Sequence, residues 1–469
     1  MLSFFNTLGR KKEAFKPIEK GKVRLYSCGL TVYDYAHVGN LRAYVFVDLL
    51  KRWLKYRGFE VKHVMNFTDV DDKTIRGMQR EGVSLEQYTQ RYIDAFLDDL
   101  QKLNVEKATI MPRATAHVDD MVKLVEALTA KGYAYRGEDG SIYYDISKFK
   151  GYGKLSQMRV GKLKAGARVK VDEYGKEQAS DFALWKAWDP ADGDVFWATS
   201  LGKGRPGWHI ECSAMSMKYL GETLDIHTGG VDNLFPHHEN EIAQSEAVTG
   251  RRFVNYWLHN EHLLVKGERM GKSLRNFYTL QDLRDMGHDS IAVRYLLLST
   301  HYRRQFNFTF EGLEAAKNAL QRLYDFMGRL EEVKESACDE SVEGLVEEAR
   351  QGFEEAMDDD LNVGDALAAI FNLVKEVNTL IDKEGLNSAG ATSVMELMMR
   401  CDTVLGVLGN AWRRQGMKLS AEVEGLIEKR EEARRRGDWG TADALREKLR
   451  QMGIVLEDTP EGVKWRKER

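Results

Sequence analysis

The chain has 469 residues, of which 43% are hydrophobic and 30% charged, with a formal net charge of -4. That length accommodates roughly two to four domains with ample core, and the charge excludes a globally basic nucleic-acid binder while leaving local basic patches open. Four scattered cysteines, Cys28, Cys212, Cys338 and Cys401, exclude a disulfide framework, and no apolar run reaches the ~20 residues of a membrane span.

The N-terminal MLSFFNTLGRKKEAF places its apolar run before its basic residues, the reverse of a secretory signal, so a cytoplasmic protein is expected. Val23, Leu25 and Ser27 alternate along KVRLYSCG, which predicts a short strand stopping at Gly29. LRAYVFVDLLKRWLKYRG reads as an amphipathic helix with Leu41, Val45, Leu49 and Trp53 on one face and Gly58 at its end. FEVKHVMNFTDVDD is a second strand running into acids. A β–α–β unit of this kind predicts a parallel sheet with a right-handed crossover. The first loop lacks G-x-G-x-x-G, so the dinucleotide fingerprint of dehydrogenases is excluded. Helices are expected over roughly 85–135. From Gly137 to about Asp189, with Tyr143, Tyr144, Tyr152 and many glycines, the pattern suggests the β-rich part of an insertion covering about 110–195. From about Ser299 the chain turns helical, and the acidic stretch from Glu331 to Asp360 reads as a solvated face or linker. A last segment from about Ser420 is rich in arginine and lysine and contains Trp439.

Three stretches could carry chemistry. In FPHHENEIAQSEA, His237 and Glu241 are four apart and share a helix face, as paired zinc ligands do, although H-E-x-x-H is absent. His238 and Glu239 are rivals on other faces, and a plain polar helix face would give similar letters. The turn before the first helix holds His37, Gly39 and Asn40, where unpaired N–H groups and the helix dipole suit phosphate; an asparagine cap with an incidental histidine is the plainer alternative. KGERMGKSLRN resembles a P-loop but is one residue short, because a glycine is needed where Lys266 stands. What remains is a basic loop with Arg269, Lys272 and Ser273, which alone would pass for a solvated charge run.

H-V-G-N after the first strand and R-M-G-K-S far downstream resemble the H-I-G-H and K-M-S-K-S signatures of class I aminoacyl-tRNA synthetases. YSCGLTVYDYAHVGN, NFTDVDDK, YGKLSQ, DFALWK, GWHIECSAM and FPHHENEIAQSEA, in that order, narrow the resemblance to the cysteinyl-tRNA synthetase family, and the terminal KREEARRRGDWGTADALREKLRQMGIVLEDTPEGVKWR is similar to that family's anticodon-binding tail. The match runs from about Val23 to Trp465. It implies a Rossmann-like parallel-sheet catalytic domain over 1–300 with the insertion and a signature loop at 266–276, a helical stem-contact bundle over 301–415, and an anticodon-binding domain over 416–469.

The resemblance further implies one zinc ion per chain on Cys28, Cys212, His237 and Glu241, a donor set compatible with tetrahedral zinc. It implies that Gly29, Thr68, Trp208 and Asp232 meet the substrate L-cysteine. ATP, accompanied by Mg2+, falls to Gly39, Arg269, Met270, Gly271, Lys272 and Ser273, with His37, Asn40 and Lys272 offsetting phosphoryl charge. Arg434, Trp439, Asp443 and Asp458 would read the anticodon of tRNA(Cys). A thiolate bound by a soft metal discriminates against serine more strongly than an apolar pocket could, so no editing activity is expected. The chain is expected to act as a monomer away from membranes. Asn40, Arg269 and Gly271 depart from the two signatures, and Thr228 replaces the glycine that usually follows His227. The rivals are a cysteine ligase of mycothiol synthesis, against which the long helical region and basic tail argue, and a non-catalytic zinc protein that binds RNA, which would have no use for the ATP elements.

Overall fold

The computed structural model of the protein describes residues 1–157, 168–169, 181–270, 276–334, 342–409, 421–452, 454–459 and 462–467. Four parallel strands make the central sheet. β1 (Lys22–Ser27) leads through helix α1 (Val38–Tyr56) to β2 (Glu60–Met65). Much later, helix α2 (Trp208–Leu220), β3 (Leu224–Gly230), helix α3 (Glu239–Thr249) and β4 (Val254–Asn260) follow in turn. The spatial order is β2–β1–β3–β4, with Leu25 opposite Ile226 and Ser27 opposite both Thr228 and Met65. The chain therefore leaves β1 towards one side and returns on the other. Such a reversal opens a crevice at the carboxyl ends of β1 and β3, where open α/β sheets bind ligands.

Local sequence accounts for these elements. β1 buries Val23, Leu25, Tyr26 and Ser27, as a central strand covered on both faces must. Helix α1 is capped at its start by His37, and Gly58 at φ +85° ends it where a side chain would strain the backbone. The helix is more deeply buried than a one-sided amphipathic pattern implies, since Arg42, Asp48 and Lys51 are buried with the apolar stripe. The cause is tertiary: Arg42 donates to the carbonyls of Glu261, His262, His301 and Arg304, and Arg294 reaches Asp48 from a helix over Ser290–Leu298.

Between β2 and α2 the chain forms the helices Leu85–Lys102 and Val118–Ala130, then an antiparallel sheet over Ala134–Arg136, Ile142–Tyr144, Asp181–Ala187, Trp197–Thr199 and Gly202–Pro206, with a short strand, Arg168–Val169, pairing parallel to Asp181–Phe182. Beyond β4, a small sheet pairs Leu263–Val265 with Glu268–Arg269 and, in parallel, with Phe306–Phe308. Long helices then dominate: Phe310–Glu331, Glu343–Asp358, Val363–Asp382 and Ser388–Leu405.

The acidic stretch from Glu331 to Asp360 is in part the solvated face that its composition suggests, since Glu343, Glu347, Glu348 and Glu355 are exposed, but its end departs from that reading. Its residues 343–358 are helical, and Asp360 is fully buried. Its carboxylate accepts hydrogen bonds from the Phe5 N–H at 2.8 Å, the Tyr302 hydroxyl at 2.6 Å and Arg303 at 2.6 Å. Those partners are distant in sequence, so composition could not register them.

Residues Met1–Gly409 form one unit and Asn410–Arg469 a second. Within the second, the helices Ala421–Arg435 and Trp439–Gln451 and the hairpin Ile454–Thr459/Gly462–Lys467 share a core of Val423, Leu426, Leu449, Ile454 and Leu456. No helix among the described residues is long and apolar enough to cross a membrane.

Candidate active site and metal centre

The crevice at the ends of β1 and β3 collects side chains from four elements. Cys28 and Gly29 follow β1, Cys212 lies on α2, His227 sits within the buried run of β3, and His237 with Glu241 enters α3. Cys28 and Cys212, 184 residues apart, hold their sulfurs 3.9 Å from one another. The His237 Nε2 stands 3.2 Å from the Glu241 Oε1, and that oxygen lies 3.8 Å from the Cys28 sulfur. All four ligand atoms fall within 4.8 Å of each other. A second overlapping group, Cys28, His227, His238 and Glu241, satisfies the same criterion.

Donor chemistry tests whether a metal fits. Two thiolates ~2.3 Å from a tetrahedral zinc stand roughly 3.8 Å apart, which matches the sulfur pair. Burial, reinforced by Cys212 and Glu241, pushes the Cys28 thiol well above its usual range. A thiolate at this position therefore needs a cation. Burial also drives His237 down to about 3 and His238 well below the imidazole range, so both rings are neutral and carry a lone pair. His227 directs its Nε2 at 2.9 Å to Glu241 Oε2, leaving Oε1 to face Cys28, His237 and His238. His209 meets His237 through Nδ1 atoms 2.9 Å apart, and His259 meets His238 at 2.8 Å. These contacts resemble the outer partners that orient metal-bound imidazoles.

Around this centre lie the residues expected to meet the amino acid. Gly29 is packed so closely that a Cβ would fall 1.5 Å from the Asn66 carbonyl oxygen, and its N–H donates to the Asn66 side chain at 3.0 Å. Thr68 is buried beside it, donating at 2.8 Å to Glu211, while its backbone pairs with the β1 loop at Leu30 and Val32. Trp208 stacks on the His237 ring with centroids 4.3 Å apart. Asp232 is exposed and close enough to act electrostatically on His37.

His37 and Asn40 form a reciprocal cap. The Asn40 N–H donates to His37 Nδ1 at 3.2 Å, and the His37 N–H donates to the Asn40 side-chain oxygen at 3.2 Å. Burial lowers the His37 pKa, only partly opposed by Asp34 and Asp232. With Nδ1 accepting, a neutral ring carries its proton on Nε2, as a donor for an incoming anion. The downstream loop returns to this turn. The Met270 methyl lies 3.6 Å from where a Gly39 Cβ would be, Val38 donates to the Tyr278 carbonyl at 2.9 Å, and His37 pairs with Thr279. Gly271, Lys272 and Ser273 lie outside the described residues, as do the side chains of Arg269 and Asp458.

In the second unit, Trp439 is 62% exposed at the start of its helix, and Asp443, one turn on, is exposed too. Arg434 pairs with Glu431 at 3.5 Å. Trp439 is not part of this unit's core, which is built from aliphatic residues.

Sequence reasoning passed over His209, His259, Asn66 and Glu211. His209 stands three before Cys212 and Asn66 two before Thr68, spacings that place each beside a candidate already singled out. His259 gave no such signal, because its partner His238 lies on another element.

Three family patterns match the chain: the class I (C) catalytic domain of tRNA synthetases over residues 14–318, the DALR domain over 352–409 and the cysteinyl-tRNA ligase anticodon binding domain over 417–466. The chain is 49% identical to the cysteine–tRNA ligase of Protochlamydia amoebophila, covering 100% of this chain and 98% of that protein. It is 48% identical to that of Brachyspira hyodysenteriae, covering 99% of each. Among solved structures, Mycobacterium tuberculosis methionyl-tRNA synthetase in complex with methionyl-adenylate aligns with a TM-score of 0.61 at 13% identity, covering 82% of this chain and 89% of that one. A ternary LeuRS–tRNA–LeuAMS complex from Agrobacterium radiobacter gives 0.61 at 13%, covering 87% and 86%. At such identities these two speak for the fold alone.

Proposed function

The chain belongs to the cysteine–tRNA ligases among the class I aminoacyl-tRNA synthetases, and from that premise we propose that a zinc ion held by Cys28, Cys212, His237 and Glu241 selects the substrate thiol, with no editing step. The reaction of the family activates cysteine with ATP and transfers it to tRNA. The observation that carries the zinc reading is the convergence of two thiols, an imidazole and a carboxylate, from the end of β1, from α2 and from the start of α3, at the switch point of the sheet. The set with two thiols is preferred to the set with His227 and His238, because His227 engages the far oxygen of Glu241 and so acts as its orienting partner. Bound there, zinc supplies a soft Lewis acid that favours a deprotonated sulfur over a hydroxyl.

The chain's own groups do the rest by positioning. Gly29, Thr68 and Asp232 hold the amino acid, and Trp208 walls its side chain against His237. As the carboxylate attacks the α-phosphorus of ATP and pyrophosphate leaves, the Nε2–H of His37 and the amide of Asn40 offset charge on the phosphoryl oxygens. Lys272, with Arg269, Met270, Gly271 and Ser273, closes on the pyrophosphate, and Mg2+ accompanies ATP. The 3′-terminal adenosine of tRNA(Cys) then takes the acyl group. Residues 301–415 serve the acceptor stem. Within 416–469, Arg434, Trp439, Asp443 and Asp458 read the anticodon, in a cytoplasmic monomer.

The test joins elemental analysis to cysteine-dependent exchange of pyrophosphate into ATP. Stoichiometric zinc in wild type, lost in Cys212→Ser together with a roughly hundredfold fall in exchange, is the expected outcome. Full exchange and continued rejection of serine by zinc-free protein would refute selection by the metal.

A further inference from the structure

The loop joining β1 to α1 carries two features that the site does not absorb. Tyr33 and Tyr35 are 36% and 47% exposed, among the few large apolar side chains left open to solvent. They stand four and two residues before His37, on the loop that also holds Cys28 and Gly29. Their backbone is held, because the Tyr33 carbonyl accepts a 2.8 Å hydrogen bond from the Tyr88 hydroxyl on the helix Leu85–Lys102. The rings are therefore displayed by a fixed loop.

Cations interleave with these aromatics. The Lys73 ammonium lies 4.8 Å over the Tyr33 ring. Tyr35 meets the edge of Tyr92 at 5.1 Å, and the Arg91 guanidinium sits 4.6 Å over that second ring while pairing with Glu81 at 3.0 Å. Exposed rings alternating with positive charge fit a single-stranded nucleic acid, whose bases offer faces to stack and whose phosphates need cations.

We propose that Tyr33 and Tyr35 form a stacking platform for the unpaired 3′ end of the tRNA at the mouth of the crevice, with Lys73 and Arg91 facing its phosphates. This rests on the aminoacylation reading above. The adenine of ATP offers the same stacking chemistry from another source. Rings left open to solvent suit the end of a macromolecule whose bulk stays outside, whereas a small nucleotide gains most from enclosure.

The test uses the full chain with Tyr33→Ala, Tyr35→Ala and the matching phenylalanine variants. Three readouts are taken: pyrophosphate exchange without tRNA, charging of tRNA, and fluorescence of a tRNA carrying 2-aminopurine as its terminal base. Each alanine variant should raise the tRNA KM about tenfold or more and relieve the quenching of the probe. Exchange should stay at the wild-type level, and phenylalanine, which keeps the ring, should behave as tyrosine does. Unchanged charging overturns the proposal. So does a parallel loss of exchange, which would assign the rings to adenine or to the fold, and so does a phenylalanine variant as impaired as alanine. Wild type unable to charge any tRNA would instead overturn the functional reading itself.

Discussion

At the scale of single residues, the site depends on close approaches that leave no room for error. Gly29 sits where the β1 loop crosses the Asn66 backbone, and an added methyl group would overlap the carbonyl oxygen. Gly29→Ala should cost about 1–3 kcal/mol, read from the shift in denaturant midpoint, and should raise the cysteine KM because the loop must move away. An unaltered midpoint would contradict that packing. Buried histidines make a second prediction. Burial holds His63 and His259 down to about 3, so both stay neutral in the folded chain while the unfolded chain protonates them near 6.5. Below that value the unfolded state binds more protons, so stability present at neutral pH is lost as pH falls from 6.5 towards 3. Each histidine should remove about 2 kcal/mol between pH 6.5 and pH 5. Unfolding of His63→Gln at both pH values should show a shallower dependence than wild type, and an identical slope would exclude His63 from the effect.

At the scale of elements, α1 organises the larger unit. Its N-terminus receives the returning segment around Tyr278, while its middle anchors the helical region through Asp48 and Arg294. That pair is 2.6 Å long and fully buried, with Arg52 on the same carboxylate at 2.8 Å. Asp48→Ala would leave a buried guanidinium without its counter-charge and should cost ~3–5 kcal/mol in unfolding free energy. Replacing both partners, as Asp48→Leu with Arg294→Met, should recover most of that loss. A single variant as stable as wild type would remove the pair from the account.

At the scale of the whole molecule, the chain falls into two units, each with its own core. An exposed Trp439 contributes little to the core of the smaller unit, so Trp439→Ala should leave its folding and the pyrophosphate exchange intact. If the ring stacks on a splayed base, charging should fall by about tenfold through the tRNA KM. Equal loss of exchange would deny the separation of roles.

The β–α–β unit was legible because alternation in KVRLYS, the stripe from Leu41 to Trp53 and the stop at Gly58 are local signals with local causes. His237 and Glu241 were legible for the same reason, since helical spacing puts them on one face. Charge and burial misled wherever the partner was remote. Asp360 belongs to an acidic run by composition yet is buried against Phe5, Tyr302 and Arg303. Sequence by itself determined the strand–helix–strand start and the resemblance to a family that whole-chain identity then bore out. Only the tertiary structure decided that Cys28 and Cys212 lie 3.9 Å apart, that His227 turns to Glu241, and that Met270 returns to Gly39. Periodicity is a property of neighbouring residues. The meeting of residues nearly two hundred positions apart follows from the order in which strands assemble, which spacing along the chain does not encode.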